Sequence, residues 1–358
     1  MLRVDRRLLV QFDWQLFGLA ALLIVAGLVT VSTLMPRLGA RQLVALSIAT
    51  VAAMIVVAVD YRTLARWACW AYGLGLLTLM GVLLAGRSAL GARRWIQVGP
   101  IGLQPSELFK LAFIGTLAVY LAARDSSRPG WDRVIIPLAL TLPAVGLIVK
   151  QPDLGTALLL FPVLIALFVA AGLRLRTLGG LVLAGVAALP LAWFAMKEYQ
   201  RERILVFLDP FRDPLGSAYN VIQAKIAIGS GQLLGKGVAG ATQSRLAFLP
   251  ERHTDFIFAV FAETWGFVGC LVLLTCYALL LLRGFDIAAS TREPVGRLVA
   301  LGVTTLVATQ VLVNVGMVTG LLPVVGIPLP FMSYGGSSMV VSMMALGLLL
   351  SVRMRQFQ

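Results

Sequence analysis

The sequence predicts an all-α polytopic membrane protein of about ten transmembrane helices, and three observations carry that expectation. Of its 358 residues, 59% are hydrophobic and only 13% charged, where soluble domains run nearer half apolar and about a quarter charged. The apolar residues gather into stretches long enough to cross a bilayer, which takes roughly 17–25 residues of helix. One long polar interruption, residues 196–255, separates seven such stretches from three. The chain therefore reads as one integral membrane domain, 1–358, with a long loop between spans 7 and 8.

In order, the spans are 14–35, 41–59, 67–86, 106–123, 133–149, 154–171 and 178–195 before the loop, then 256–282, 297–319 and 336–352 after it. The first is too long for a secretory leader and lacks a small-residue cleavage site, so it reads as a retained anchor. Orientation follows from the Lys and Arg content of the short loops. With the N-terminus inside, the inner segments hold fifteen: Arg3, Arg6, Arg7, Arg62, Arg66, Arg124, Arg128, Arg133, Arg174, Arg176, Arg283, Arg292, Arg297, Arg353 and Arg355. The short outer loops hold six: Arg37, Arg41, Arg87, Arg93, Arg94 and Lys150. Eight more lie in the long loop, which weighs less because long loops cross regardless of charge. Both termini are thus expected in the cytoplasm and residues 196–255 outside.

The net charge of +14 is accounted for by anionic headgroups beside the cytoplasmic loops. Membrane lipids are expected partners, and nucleic acid is not. Cys69, Cys270 and Cys276 fall inside spans, with no metal-ligand spacing and no disulfide framework. His253 is the only histidine, so a multi-His metal site is not available.

Polar signals gather at one face. On this topology spans 4, 6 and 8 begin outside, and each begins on an acid: Gln104-Pro105-Ser106-Glu107, Gln151-Pro152-Asp153 and Thr254-Asp255. The Pro- and Gly-rich stretch 321–336, between spans 9 and 10, lies on the same side. Proline suits a first helical position and an acid complements the helix dipole, so punctuation is the plain reading. Against it, Glu107 and Lys110 stand three apart on one helix face and can pair. Asp153 follows Lys150, again setting opposite charges beside an apolar span. Charges so placed usually face a bundle interior or a water-filled cavity. Arg93-Arg94-Trp95 reads either as interfacial belt or as a guanidinium fork for phosphate.

Within the long loop, Ala218 to Ile228 is apolar but interrupted by Asn220, Gln223 and Lys225, the pattern of an interfacial or re-entrant helix. Gly229 to Gly237 follows, with Ser230 and Gly237 where a phosphate-binding Walker loop needs Gly and Ser or Thr. Its glycines either let backbone N–H groups approach an anion or allow tight turns. Arg201, Arg203, Lys225, Lys236, Arg245 and Arg252 would suit a pyrophosphate-bearing lipid. The loop ends on Phe248-Leu249-Pro250-Glu251-Arg252-His253-Thr254-Asp255-Phe256-Ile257-Phe258, which sets Asp255 where polar loop meets apolar helix. A carboxylate at that boundary is a functional candidate by default, and partial desolvation raises its pKa as a general base requires. His253, two residues before it, suits orientation of the loop better than proton transfer.

Three segments together resemble a known family: Lys150 to Thr156, Phe248 to Phe258, and Pro328-Leu329-Pro330-Phe331-Met332-Ser333-Tyr334-Gly335-Gly336-Ser337-Ser338. They are similar to the shape, elongation, division and sporulation (SEDS) family, over most of the chain from about Arg93 to Gly347. Arg252, and Lys225 before Ile226-Ala227-Ile228-Gly229, resemble its elongation branch. The resemblance implies a ten-helix peptidoglycan glycosyltransferase of the bacterial cytoplasmic membrane. It would polymerise lipid II into glycan strands on the outer face, for elongation and rod shape, beside a class B penicillin-binding transpeptidase. The family's essential aspartate falls on Asp255, and its cavity residues on Arg94, Trp95, Glu107, Lys110 and Asp153. Departures from the pattern are Glu263-Thr264 for Glu-Glu, Ala241-Thr242-Gln243 for Gly-Thr-Gln, and Val325 for Thr. These put a role for position 264 or 325 in doubt.

On that reading Asp255 takes the proton of the acceptor hydroxyl and undecaprenyl pyrophosphate leaves. The leaving group is stabilised by loop cations such as Lys225, Arg245 and Arg252, and by a divalent cation, Mg or Mn, if one takes part. The alternative is a lipid II flippase, since transporters also use membrane carboxylates and broken helices. A scaffold for the transpeptidase is the third reading.

Overall fold

The computed structural model describes residues 11–89, 92–98, 101–124, 131–209, 212–214, 216, 218–245 and 251–356. Arg3, Arg6, Arg7 and Arg128, which enter the charge count, and Phe248, Leu249 and Pro250 lie outside them. Three helices come first: α1 (Trp14–Leu34), α2 (Pro36–Ala58) and α3 (Tyr61–Ala85). After a small sheet come α4 (Pro105–Ala122), α5 (Asp132–Lys150), α6 (Leu154–Ala170) and α7 (Leu175–Ala195). The polar loop contributes α8 (Glu198–Leu208), α9 (Tyr219–Ser230), α10 (Gly237–Gly240) and α11 (Thr242–Arg245). The chain then runs through α12 (Ile257–Ser290), α13 (Pro294–Thr319) and α14 (Gly336–Arg355).

Eight of these, α1 to α5 and α12 to α14, are long and apolar enough to cross a membrane. Two shorter apolar helices, Leu154–Ala170 and Leu175–Leu191, occupy the places expected of spans 6 and 7. Sequence chemistry fixes the helix starts. Pro36, Pro105 and Pro294 open α2, α4 and α13, where the missing N–H costs nothing. Asp13, Asp60 and Asp153 cap α1, α3 and α6 by accepting from Leu16 N, Arg62 N and Thr156 N. Large apolar side chains such as Trp70, Leu74, Leu183 and Leu191 point outward. In water that would be a liability, whereas lipid tails accept it.

One small element accompanies the expected all-α fold. Between α3 and α4 the chain forms a three-stranded antiparallel sheet, β1 (Arg87–Ala89), β2 (Ala92–Val98) and β3 (Ile101–Leu103), in the order β1-β2-β3. The segment is too short and too basic to span. Its Trp95-Ile96-Gln97-Val98 run favours a pleated, half-covered surface.

α12 is the other departure, running to Ser290 where the sequence suggested about 282. It breaks at Gly266, whose φ of 68° and ψ of −166° are not helical. The break is closed by the glycine-rich turn after α9. Phe267 N and Val268 N donate to Gln232 O and Leu233 O at 2.8 and 3.0 Å, and Lys236 N donates to Glu263 O at 3.0 Å. Such substitutes are required where backbone bonds are lost at membrane depth. A side chain on Gly235, which has φ +80°, would place its Cβ 2.2 Å from Thr264 O. Here the glycines form a tight turn whose backbone packs directly on that of α12.

Away from the polar loop, ion pairs tie the helices together. Arg283 Nε donates to Asp13 Oδ2 at 2.8 Å, joining α12 to α1, and Arg355 reaches the last carbonyls of α2 at Val57 and Ala58. These contacts sit at the start of α1 and the ends of α2, α12 and α14. The helix starts that carry the acidic motifs lie at the other end of the bundle.

Candidate active site

The acidic starts of α4 and α6 meet directly. Gln104 stands extended before Pro105 and donates its amide N–H to Ser337 Oγ at the head of α14. Its side-chain nitrogen donates to Asp153 Oδ2 at 3.0 Å, and Ser106 Oγ donates to the same oxygen at 3.3 Å. Asp153 Oδ1 accepts from Thr156 N at 3.2 Å and lies 3.8 Å from Arg94 Nη1. Arg94 also donates from Nε to Gln151 O at 3.0 Å and from Nη2 to Pro152 O. Arg94, on β2, is therefore the cation that locks the head of α6. The sequence suggested Lys150 for that place, but Lys150 is exposed while Asp153 is buried.

One turn into α4, Lys110 Nζ donates to Glu107 Oε1 at 2.6 Å, with both side chains almost fully buried. The expected pairing is present. Trp95 is half-buried, and its ring lies over Gly102 of β3, where an added Cβ would stand 3.1 Å from Cε3. It packs on the sheet beside the Arg94–Asp153 contact.

Asp255 sits in a turn closed by Thr254 N and Asp255 N donating to Glu251 O. Three further segments brace that turn. Asn314, fully buried in α13, donates through Nδ2 to Asp255 O at 2.9 Å and to Ile327 O at 2.7 Å. Ser333 Oγ donates to Thr254 O at 2.7 Å, and Tyr334 N donates to His253 O at 2.8 Å. Gly326 has φ +72°, and a Cβ there would lie 3.2 Å from Asp255 Oδ2. Only glycine lets the 320–326 strand of backbone pass so near the carboxylate.

Asp255 is partly buried, and protein crowds its carboxyl. Burial pushes its pKa up to about 6, with Glu251 and Asp153 adding to the rise and Arg203 and Arg94 opposing it. The acid thus feels both the sheet arginine and Arg203 of α8. His253 is pulled below its ordinary value, chiefly by burial, and its ring faces Tyr334 at 5.4 Å. That arrangement suits holding the turn.

The remaining loop cations spread out. Lys225 lies along α9 against Gly320, whose absent side chain makes room for its Cε. Arg252 Nη1 donates to Ser244 O, which fastens the turn before Asp255 to α11. Arg245 ends α11, and its side chain lies outside the described structure. Glu263, fully buried on α12, accepts from Gln243 N and Ser244 N at 2.9 Å each and so holds α11 in place. Thr264, beside it, bonds only back to Val260 O at 2.8 Å among the described contacts. The sequence reading passed over Asn314 and gave no role to Gly326, Ser333 or Glu263, although the last two stood in its quoted motifs. Their only signal was a polar or flexible residue in apolar surroundings, and their partners lie far off in the chain.

The arrangement offers one proton acceptor of raised affinity, fixed by its own backbone, beside two arginines and a second carboxylate. That is what acid–base chemistry on an anionic, lipid-borne substrate asks for.

Comparison with known proteins agrees in extent. The family model described as cell cycle protein, FtsW/RodA/SpoVE, matches residues 7–358. Peptidoglycan glycosyltransferase MrdB of Escherichia coli K12 is 42% identical over 339 residues, covering 93% of this chain and 91% of that protein. A chain from a solved peptidoglycan synthase complex, described as coordinating polymerization and crosslinking, superposes with a TM-score of 0.85. It shows 38% identity and covers 97% of this chain and 99% of that one. The rod shape determining protein RodA of Thermus thermophilus gives a TM-score of 0.74 at 36% identity, over 97% and 98% of the two chains.

Proposed function

The chain belongs to the FtsW/RodA/SpoVE family and is a multi-pass membrane peptidoglycan glycosyltransferase, and on that footing we propose that it polymerises lipid II with Asp255 as general base. The observation that carries the mechanism is the Asp255 carboxyl. It is raised to about 6 and held by Asn314, Ser333 and Tyr334 through the backbone on either side.

In the proposed step, Asp255 accepts the proton from the 4-hydroxyl of the acceptor saccharide. The hydroxyl oxygen attacks the anomeric carbon of the lipid-linked donor from the face opposite the diphosphate. The new C–O bond forms as the bond between that carbon and the diphosphate oxygen breaks. The electron pair leaves with undecaprenyl pyrophosphate, and configuration inverts. Two lipid-anchored substrates held in one groove lose the translational freedom they would otherwise surrender at the barrier, which contributes much of the rate. Fixed cations at the departing diphosphate contribute another large share.

The Lys and Arg distribution supports an extracytoplasmic site with both termini inside. The likeness to a chain of a synthase complex that couples polymerization to crosslinking supports a class B transpeptidase as partner. Among the described residues no three His, Cys, Asp or Glu side chains converge, and both oxygens of Asp153 are already engaged. Mg or Mn would act, if bound, as a companion of the substrate diphosphate.

The test is fluorescent lipid II supplied to the purified chain with its transpeptidase. Glycan ladders and released polyprenyl pyrophosphate are expected. Translocation of intact lipid II across vesicles without ladders would replace the polymerase with the flippase reading.

A further inference from the structure

The turn that carries Asp255 is strained at its start. Glu251 stands at φ +48°, a left-handed conformation that is costly for any residue but glycine and persists only where its surroundings fix it. Its carbonyl accepts from Thr254 N and Asp255 N at 3.2 Å each, so the placement of Glu251 is passed on to Asp255. Asn314, Ser333 and Tyr334 brace the far side of the turn through the carbonyls of Asp255, Thr254 and His253. Next to Glu251 the brace is Arg252, whose Nη1 donates to Ser244 O. Ser244 is fully buried, and its other polar groups are held by Glu263. Its N and Oγ both donate to Glu263 Oε2, at 2.9 and 2.5 Å, while Gln243 N donates to Oε1 at 2.9 Å. Glu263 is itself fully buried in the first half of α12. Among the described residues it has no salt-bridge partner, and these N–H and O–H groups meet its charge. Hydrogen bonds to an ionised acceptor are roughly twice as strong as neutral ones.

We propose that Glu263, Ser244 and Arg252 form one clamp that sets the position of Asp255, and that Glu263 and Arg252 are positioning residues for the reaction. This rests on the general-base reading above. In the chain Arg252 precedes Asp255 and Glu263 follows it, and both close on the same buried serine. Movement of the Asp255 turn against α12 therefore has to break a bond at Ser244. The charged groups that act on Asp255 are Glu251, Arg203, Arg94 and Asp153. Arg252 and Glu263 are not among them, so the clamp works through geometry rather than through charge. The Arg252 guanidinium is thereby assigned to the protein's own backbone, where the resemblance implied the departing diphosphate. Proton transfer needs its heavy atoms within about 2.6–3.2 Å, and a misplacement on the order of 1 Å costs on the order of a hundredfold in rate. A loosened clamp should thus slow the chemical step while the contacts that bind lipid II stay in place.

The experiment uses the full chain with Arg252→Met, Arg252→Lys, Glu263→Gln and the double variant Arg252→Met with Glu263→Gln. It reads kcat and KM for fluorescent lipid II per folded protein, and amide hydrogen exchange of residues 251–256. Arg252→Met and Glu263→Gln are each expected to lower kcat roughly tenfold or more, with KM within about twofold of wild type. The double variant should be within about twofold of the slower single one, as for residues that act as a unit. Arg252→Lys still donates to one carbonyl and should recover most of the lost kcat. Exchange in the 251–256 turn should rise about tenfold in both single variants, with α13 unchanged. Wild-type kcat in Arg252→Met overturns the proposal, and so does a raised KM at unchanged kcat, since Arg252 would then bind substrate. Losses that multiply in the double variant, or an Arg252→Lys as slow as Arg252→Met, also overturn it. If Glu263→Gln does not fold, Ser244→Ala replaces it in the cycle, because it removes the Oγ bond and leaves both N–H bonds to Glu263. Should the wild-type chain make no glycan, the general-base reading fails, and hydrogen exchange decides the clamp. Unchanged exchange of the turn in both single variants then overturns it.

Discussion

Asp255 has to be ionised to take a proton, and burial holds its pKa at about 6, so kcat/KM should climb as pH rises through that value and level off above it. A polymerisation profile flat from pH 5 to 7 would remove Asp255 as the base. Glu107 and Lys110 make a different kind of prediction, about stability. Each is buried against the other at 2.6 Å, so removing one partner strands a charge. Lys110→Met should cost about 3–5 kcal/mol, and Lys110→Met with Glu107→Leu should recover most of it. Thermal unfolding in detergent reads both, and equal stability of the single variant and wild type would contradict the pairing. At this scale the sequence was informative about residue types but not about partners. The spacing of Glu107 and Lys110 foretold their contact because a helix fixes i and i+3. Asp153 found Gln104, Ser106 and Arg94 because contacts across elements follow tertiary packing, which adjacency to Lys150 could not reveal.

Hydropathy and length located the long helices because a bilayer demands roughly twenty apolar residues from each span. The segment from Arg87 to Leu103 carries no such demand, and its short strands left no periodic signal. The broken helix α12 was also invisible, because its cause lies thirty residues upstream in the glycine-rich turn. That turn can be tested by substitution. Gly235→Ala brings a Cβ within 2.2 Å of Thr264 O at a φ of +80°. Gly237→Ala meets nothing within 4 Å at a φ of +65°. Both changes bear the left-handed strain, about 1–2 kcal/mol, and only the first also forces two backbones apart. Gly235→Ala should therefore melt well below Gly237→Ala, and identical melting of the two would mean that close approach does not hold the break shut.

Across the whole molecule, the starts of α4, α6 and α14 and the turn before α12 reach one end of the bundle through side chain-to-backbone bonds between distant segments. A polar pocket so assembled has a built position before any substrate arrives, and the charge of Arg203, from α8 in the long loop, acts on its acid. The sequence made this convergence legible through the alternation of spans, because acids at every second helix start must share a side. What it left hidden was the wiring by Asn314, Ser333 and Gly326, each set by chain segments that only the fold brings together. The account stands on the pocket's acid, and the most direct measurement is the rate of glycan synthesis from fluorescent lipid II by Asp255→Asn beside wild type. The substitution keeps the size of the side chain and replaces a basic oxygen with an amide NH2, which cannot take the proton, so a loss of about a hundredfold or more is expected at unchanged melting temperature. Synthesis by Asp255→Asn within twofold of wild type would contradict it.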